Sequence, residues 1–172
     1  MKYNGFTIKI SLILFGIIIF LGCKKTDDKT FLKDDMEISL KSSNGFFICA
    51  DKFINYQLIA NRQAVDDWEK FTIEFRENNT IAFRTSYYTY VGIDEIGSLI
   101  ATNTNDKIAG KFSIIKLDSS RIVIQSDQGK YIGLEKDNFL FANRDSINDA
   151  EKFILKPVLK KRYSYFSNVD VM

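Results

Sequence analysis

Asp51, Asp94 and Glu135 each stand four residues after an aromatic residue, Phe47, Tyr90 and Tyr131. In an extended strand side chains alternate with period two, so such a pair shares one face. A ring beside a carboxylate supplies the parts of a shallow site for a hydroxyl-rich ligand: the ring stacks on polarised C–H bonds and the acid accepts from hydroxyls. Solvated strand ends account for the same three acids without a ligand. Tyr87 and Tyr88 add two adjacent rings next to Tyr90. The candidate ligand-binding residues are therefore Tyr87, Tyr88, Asp51, Asp94 and Glu135, and Tyr90 also reads as a packing residue like Phe47 and Tyr131.

Other chemistries lack their residues. The 172-residue chain contains no histidine, which removes Ser-His-Asp triads and His-containing metal sites. It has no glycine-rich phosphate loop, and nothing in the sequence brings one pair of carboxylates to glycosidase spacing. No catalytic residue, metal or cofactor is expected. Cys49 lacks a neighbouring base and reads as a small buried residue. The formal net charge is only +2, from 24 basic and 22 acidic residues. Phosphate neutralisation needs a basic excess, so a nucleic-acid partner is excluded.

The N-terminus reads as a targeting segment. Lys2 and Lys9 precede the apolar run Ile10–Gly22, which is short for a membrane span of roughly 20 residues and fits the hydrophobic region of a secretory signal. An uncleaved signal anchor is the alternative. Leu21-Gly22-Cys23 resembles a bacterial lipobox, which implies cleavage before Cys23 and acylation of that residue. Residues 1–22 then form a lipoprotein signal peptide and 23–36 a charged, solvated tether. The expected location is the cell envelope, lipid-anchored to a membrane, periplasmic or surface-exposed. With Cys23 lipidated, Cys49 has no disulfide partner.

The elements that carry the candidate residues repeat. Lys70-Phe71 returns as Lys111-Phe112 and Lys152-Phe153, a spacing of 41 residues each time. Leu58, Leu99 and Leu140 correspond, as do Ala60, Ala101 and Ala142, and Leu40, Phe83 and Ile124. Alternating apolar positions mark four short strands in each unit. Twelve strands in three equal units fit threefold closure, which also removes exposed sheet edges. A propeller usually needs at least four blades. The expected core comprises Leu40, Phe83, Ile124, Leu58, Leu99, Leu140, Phe71, Phe112 and Phe153. The fold class is all-β: a single β-trefoil of three four-stranded units with pseudo-threefold symmetry, spanning 37–158 behind the lipoprotein signal, followed by a C-terminal tail, 159–172. A short turn of helix is expected near Asp145–Ala150.

The repeated pattern of a Gly-aromatic hairpin, a Leu-x-Ala-Asn-Arg strand and a Glu-Lys-Phe strand resembles the fascin-like, actin-crosslinking β-trefoil repeat over residues 36–158. Unit two is the most divergent copy. The resemblance implies the trefoil fold. Bundling of actin in that family depends on more than one trefoil, so actin is not carried over as a partner.

Asn44-Gly45 and Gln128-Gly129 read as tight hairpins. Unit two has Tyr87-Tyr88 there, and a tyrosine does not readily take the positive φ that glycine supplies, so a different turn is expected. Asn61-Arg62 and Asn143-Arg144 read as strand-end residues. Unit one carries an extra loop, Lys52–Gln57, with Phe53, Ile54 and Tyr56, and a half-buried Trp68. Together these features describe a monomeric, non-catalytic binding module with a glycan as partner. A protein partner, as for an inhibitor, an immunity-type lipoprotein or a surface-complex subunit, is the alternative.

Overall fold

Each alternating segment forms a strand in the computed structural model, which describes residues 31–159. The twelve strands are β1 (Met36–Lys41), β2 (Phe47–Asp51), β3 (Gln57–Arg62) and β4 (Phe71–Phe75) in unit one; β5 (Ile81–Thr85), β6 (Tyr90–Ile93), β7 (Leu99–Asn103) and β8 (Phe112–Lys116) in unit two; and β9 (Arg121–Ser126), β10 (Tyr131–Leu134), β11 (Leu140–Arg144) and β12 (Phe153–Pro157) in unit three. Strands β1, β4, β5, β8, β9 and β12 pair in sequence around a closed six-stranded barrel, β12 returning to β1 with Leu155 opposite Leu40. Hairpins β2–β3, β6–β7 and β10–β11 cap one end. This is a β-trefoil.

Phe71, Phe112 and Phe153 are at most 1% exposed and join one buried cluster with Leu40, Phe83, Ile124, Leu58, Leu99 and Leu140. Phe83 bridges two of the repeated rings, 6.3 Å from Phe71 and 5.5 Å from Phe112 between centroids. The repeated alanines have a different task. The Ala60 N–H donates to Asn138 O (2.9 Å), Ala101 N–H to Tyr56 O (2.9 Å) and Ala142 N–H to Gly97 O (2.8 Å). Each bond crosses from one unit to the hairpin loop of another, so the three close a cycle around the cap. The acceptor residues all have positive φ (70°, 57° and 88°). A side chain no larger than a methyl keeps each crossing close.

Three expectations need correction. Residues Asp145–Ala150 form bends and a turn with no helix, whereas the equivalent segments of units one and two hold short 3-10 turns, Asp67–Glu69 and Asp106–Ile108. The segment read as the end of a solvated tether belongs to the fold. Leu32 is 8% exposed within the core, Phe31 packs against it, and Asp35 N–H donates to Ile73 O at 2.8 Å. Two apolar side chains suffice to dock the segment across the barrel although its composition is charged. The Tyr87-Tyr88 turn closes like its sister hairpins, with Tyr88 at a φ of 62°. The signal segment and Cys23 lie outside the described residues, as does the C-terminal tail beyond Leu159.

Candidate functional site

The three hairpins joining the first two strands of each unit close with the same bonds. Gly45 N–H donates to Ser42 O, Tyr88 N–H to Thr85 O and Gly129 N–H to Ser126 O, each at 3.0 Å. The φ angles are 87° at Gly45, 80° at Gly129 and 62° at Tyr88. Unit two therefore keeps the turn and forces a tyrosine into it, contrary to the expectation of a different turn. The left-handed conformation costs a residue bearing a Cβ about 1–2 kcal/mol relative to the right-handed one. Glycine, used in the sister units, avoids that cost. The strained ring is not held by a core, since Tyr88 is 74% exposed.

Beneath the exposed ring lies a charged network. The Arg84 guanidinium sits 5.5 Å from the Tyr88 ring centre, and Arg76 sits 5.6 Å from that of Tyr90. Glu74, on β4 beside β5, accepts from Arg84 Nε, from Arg76 Nη2 (2.7 Å) and from the Tyr90 hydroxyl (3.0 Å). Burial alone would raise the Glu74 carboxyl, but the bonds from Arg84 and Tyr90 outweigh it and hold the group below the usual carboxylate range. Glu74 is thus a fixed acceptor anion. Burial, reinforced by the bond to Glu74, pushes the Tyr90 phenol up. The result is a stiff aromatic platform edged by charge-assisted donors and acceptors.

The sequence pointed to other acids. Asp94 turns back on its own loop, its Oδ1 accepting from Ile96 N–H (3.1 Å) and Ser98 N–H (2.8 Å). Asp51 is buried, accepting from Phe53 N–H (2.9 Å) and Arg62 Nη2 (2.9 Å). Glu135 accepts from Asn143 Nδ2 (2.9 Å) and Arg144 Nη2 (2.8 Å). Arg62 and Arg144 also reach the buried Glu69 (3.5 Å) and Glu151 (3.4 Å). Those two glutamates bond the backbone N–H of Asp66 (2.8 Å) and Asn148 (2.7 Å). The acid–Arg–Glu chain thus ties a cap hairpin to the turn before the repeated Phe. Unit two, with Asn103 and Gly110 at the matching positions, has no such chain. The motif that looked like ligand chemistry forms an internal latch in units one and three.

Tyr87 and Tyr88, though adjacent, serve different neighbourhoods. Tyr87 lies edge-on to Trp68 (6.3 Å) and Tyr56 (6.4 Å). Burial, then the nearby Asp67, raises its phenol. Trp68 is half-buried and meets Phe53 at 5.8 Å. Phe53, on the extra loop, is 80% exposed. Beside Trp68 opens a groove of about 350 Å³ lined by Arg62, Gln63, Ala64, Asp66, Trp68 and Glu69. Glu74, Arg76 and Arg84 were missed by sequence reasoning. Their only signal was a charged residue on β4, one on β5 and Arg76 just past the end of β4, a pattern any solvated strand shows.

Cys49 is fully buried, and burial raises its thiol to about 11. Among the described residues no three His, Cys, Asp or Glu side chains converge as a metal site would require.

Comparison with known proteins places the chain as follows. The family described as Domain of unknown function (DUF7910) matches residues 29–153. No curated protein matches the sequence. Among solved structures, Cry35Ab1 superposes with a TM-score of 0.61 at 15% identity, over 82% of this chain and 40% of that one. The Rhizoctonia solani agglutinin gives 0.60 at 14% identity, over 74% and 98%. The Macrolepiota procera ricin B-like lectin, solved in complex with lactose, gives 0.61 at 12% identity, over 72% and 96%. The chain thus spans less than half of Cry35Ab1 and nearly all of each lectin. At these identities the likeness establishes the β-trefoil fold.

Proposed function

The chain belongs to the DUF7910 family, and on that premise we propose that it is a non-catalytic carbohydrate-binding module carried on a lipid anchor. One observation carries the reading: Tyr88 occupies a left-handed position that glycine fills in both sister hairpins, and it is 74% exposed there. A surface ring kept against backbone strain has its use outside the fold. The Tyr88 face offers a stacking platform for a sugar ring, and the partly exposed guanidinium groups of Arg84 and Arg76, held in place by Glu74, supply directional donors for its hydroxyls. The lactose complex of the Macrolepiota procera lectin supports this choice of ligand class; at 12% identity no site residue is transferred from it.

The reading is non-catalytic because Glu74, the acid at the centre of the network, is held ionised by Arg84, Arg76 and Tyr90. A general acid needs the opposite, a carboxyl kept protonated near neutral pH. Cys23 is the proposed lipid attachment point, by its place after Leu21-Gly22. The proposed location is the bacterial cell envelope, periplasmic or surface-exposed. The fascin-like character of the repeat enters as a likeness of sequence pattern, without actin as a partner.

The test is a glycan array probed with the purified full chain and with Tyr88→Gly. Hits that disappear in Tyr88→Gly while its melting temperature holds support the proposal. No hits at high protein concentration, or equal hits from both proteins, overturn it. A protein partner is the second reading, favoured by the 80% exposure of Phe53; a stoichiometric crosslinked partner lost in Phe53→Ser would support it.

A further inference from the structure

Lys52 is an exposed lysine whose ammonium group has no carboxylate partner among the described residues. Its Nζ lies 5.0 Å from the Trp68 ring centre and 5.2 Å from that of Phe53. Both distances fall within the range of about 6 Å in which a cation is attracted to a ring face. The two rings stand 5.8 Å apart at 51°, neither stacked nor perpendicular, and form an open notch. Tyr87 braces Trp68 from the edge at 6.3 Å. Arg62 also approaches Trp68, at 5.6 Å, but its charge is already met by Asp51 and Glu69. Trp68 also lines the groove whose other walls include Asp66 and Glu69.

We propose that the Phe53–Trp68 notch is a binding site for an alkylammonium group, filled by Lys52 in the free protein and taken over by a ligand cation. Two sources share that chemistry: a choline-type headgroup and an amino sugar. An ammonium group gains from two electron-rich faces there, and the rest of the ligand lies along the groove beside Trp68. A quaternary ammonium competes well with lysine because it is less strongly hydrated and makes more contact with the rings. Lys52 is an internal competitor, so it lowers the apparent affinity by the fraction of time the notch is closed. This inference stands apart from the Tyr88 platform. Unit one builds it from its own extra loop, which neither sister unit has.

Trp68 is the only tryptophan of the chain, so its fluorescence reports on the notch and the groove beside it. The experiment titrates the purified full chain, in an uncharged and non-glycosidic detergent, with choline chloride, glucosamine and N-acetylglucosamine. Saturable change with choline and glucosamine but not with N-acetylglucosamine is expected. Saturation by choline alone assigns the headgroup as the source, and saturation by glucosamine alone the amino sugar. Lys52→Met should tighten binding several-fold. Phe53→Ala should weaken it roughly 2- to 30-fold, the worth of one cation–ring contact; both residues are exposed, so the variants retain the fold. Absence of saturation in both wild type and Lys52→Met, or equal response to N-acetylglucosamine, overturns the proposal. Neutral glycans bound on the array without any ammonium response would leave the Tyr88 reading standing and remove this one; the reverse pattern would do the opposite.

Discussion

Tyr88 and Glu69 show how a single side chain is judged by what surrounds it. Replacing Tyr88 by glycine removes a strain of about 1–2 kcal/mol and forfeits an exposed cation–ring contact of about 0.5–1 kcal/mol. Chemical denaturation should therefore find Tyr88→Gly as stable as wild type or up to about 1.5 kcal/mol more stable, while glycan binding is lost. Glu69 is almost wholly buried and is met by Arg62, which is about one-third exposed. Arg62→Met leaves that carboxylate and the buried Asp51 without their cation. A loss of about 1–3 kcal/mol is expected, below the value for a fully buried pair because water reaches the arginine. Cys49, with its thiol raised to about 11, adds a pH effect. Its neutral form is favoured by the fold, so its contribution is complete below the ordinary thiol value of 9.0 and is lost as pH rises toward 11. Cys49→Ala should shift alkaline unfolding, followed by circular dichroism, to higher pH.

The hairpins and the latches belong to the scale of elements. Strand identity follows from alternation, and the turns follow from φ. Gly133 illustrates an element-level constraint that no single contact reveals. A Cβ there would lie 2.6 Å from Glu151 Oε1, so the strand must give way to the latch of its own unit. Gly133→Ala is expected to cost about 1–3 kcal/mol, measured by thermal melting. The alternation, the repeats and the two Gly hairpins were all legible in the sequence. The conformation of the Tyr87-Tyr88 turn was not, because local propensity argued against it. The flanking strands β5 and β6 impose the same closing bonds as in the sister units, and the tyrosine yields. The acid four residues beyond each hairpin aromatic was legible as a position but not as a role. In units one and three its partner arginine arrives from the neighbouring strand of the hairpin, and only pairing register shows which acid it meets.

At the scale of the molecule the fold is one closed object. The barrel has no free edge, and the cap is cyclically bonded through Ala60, Ala101 and Ala142. Phe71→Ala, Phe112→Ala and Phe153→Ala should each cost about 3–5 kcal/mol and each lower the single unfolding transition of the whole domain. Three separate transitions, or one variant without effect, would contradict a shared core. The pseudo-symmetry is broken where function is sought: unit one adds the Phe53 loop, and unit two puts Tyr88 where glycine is easier. The sequence by itself determined the threefold scaffold and its core, because burial periodicity and repeat spacing are properties of the chain read in order. Tertiary structure alone decided which polar groups remain available to a ligand. Asp51, Glu135 and Glu74 are consumed by arginines and Asp94 by its own loop, which leaves the Tyr88 ring and the partly exposed Arg76 and Arg84 for a ligand. The availability of a charge depends on what the fold brings within about 3 Å of it, and such proximity between strands is not written along the chain.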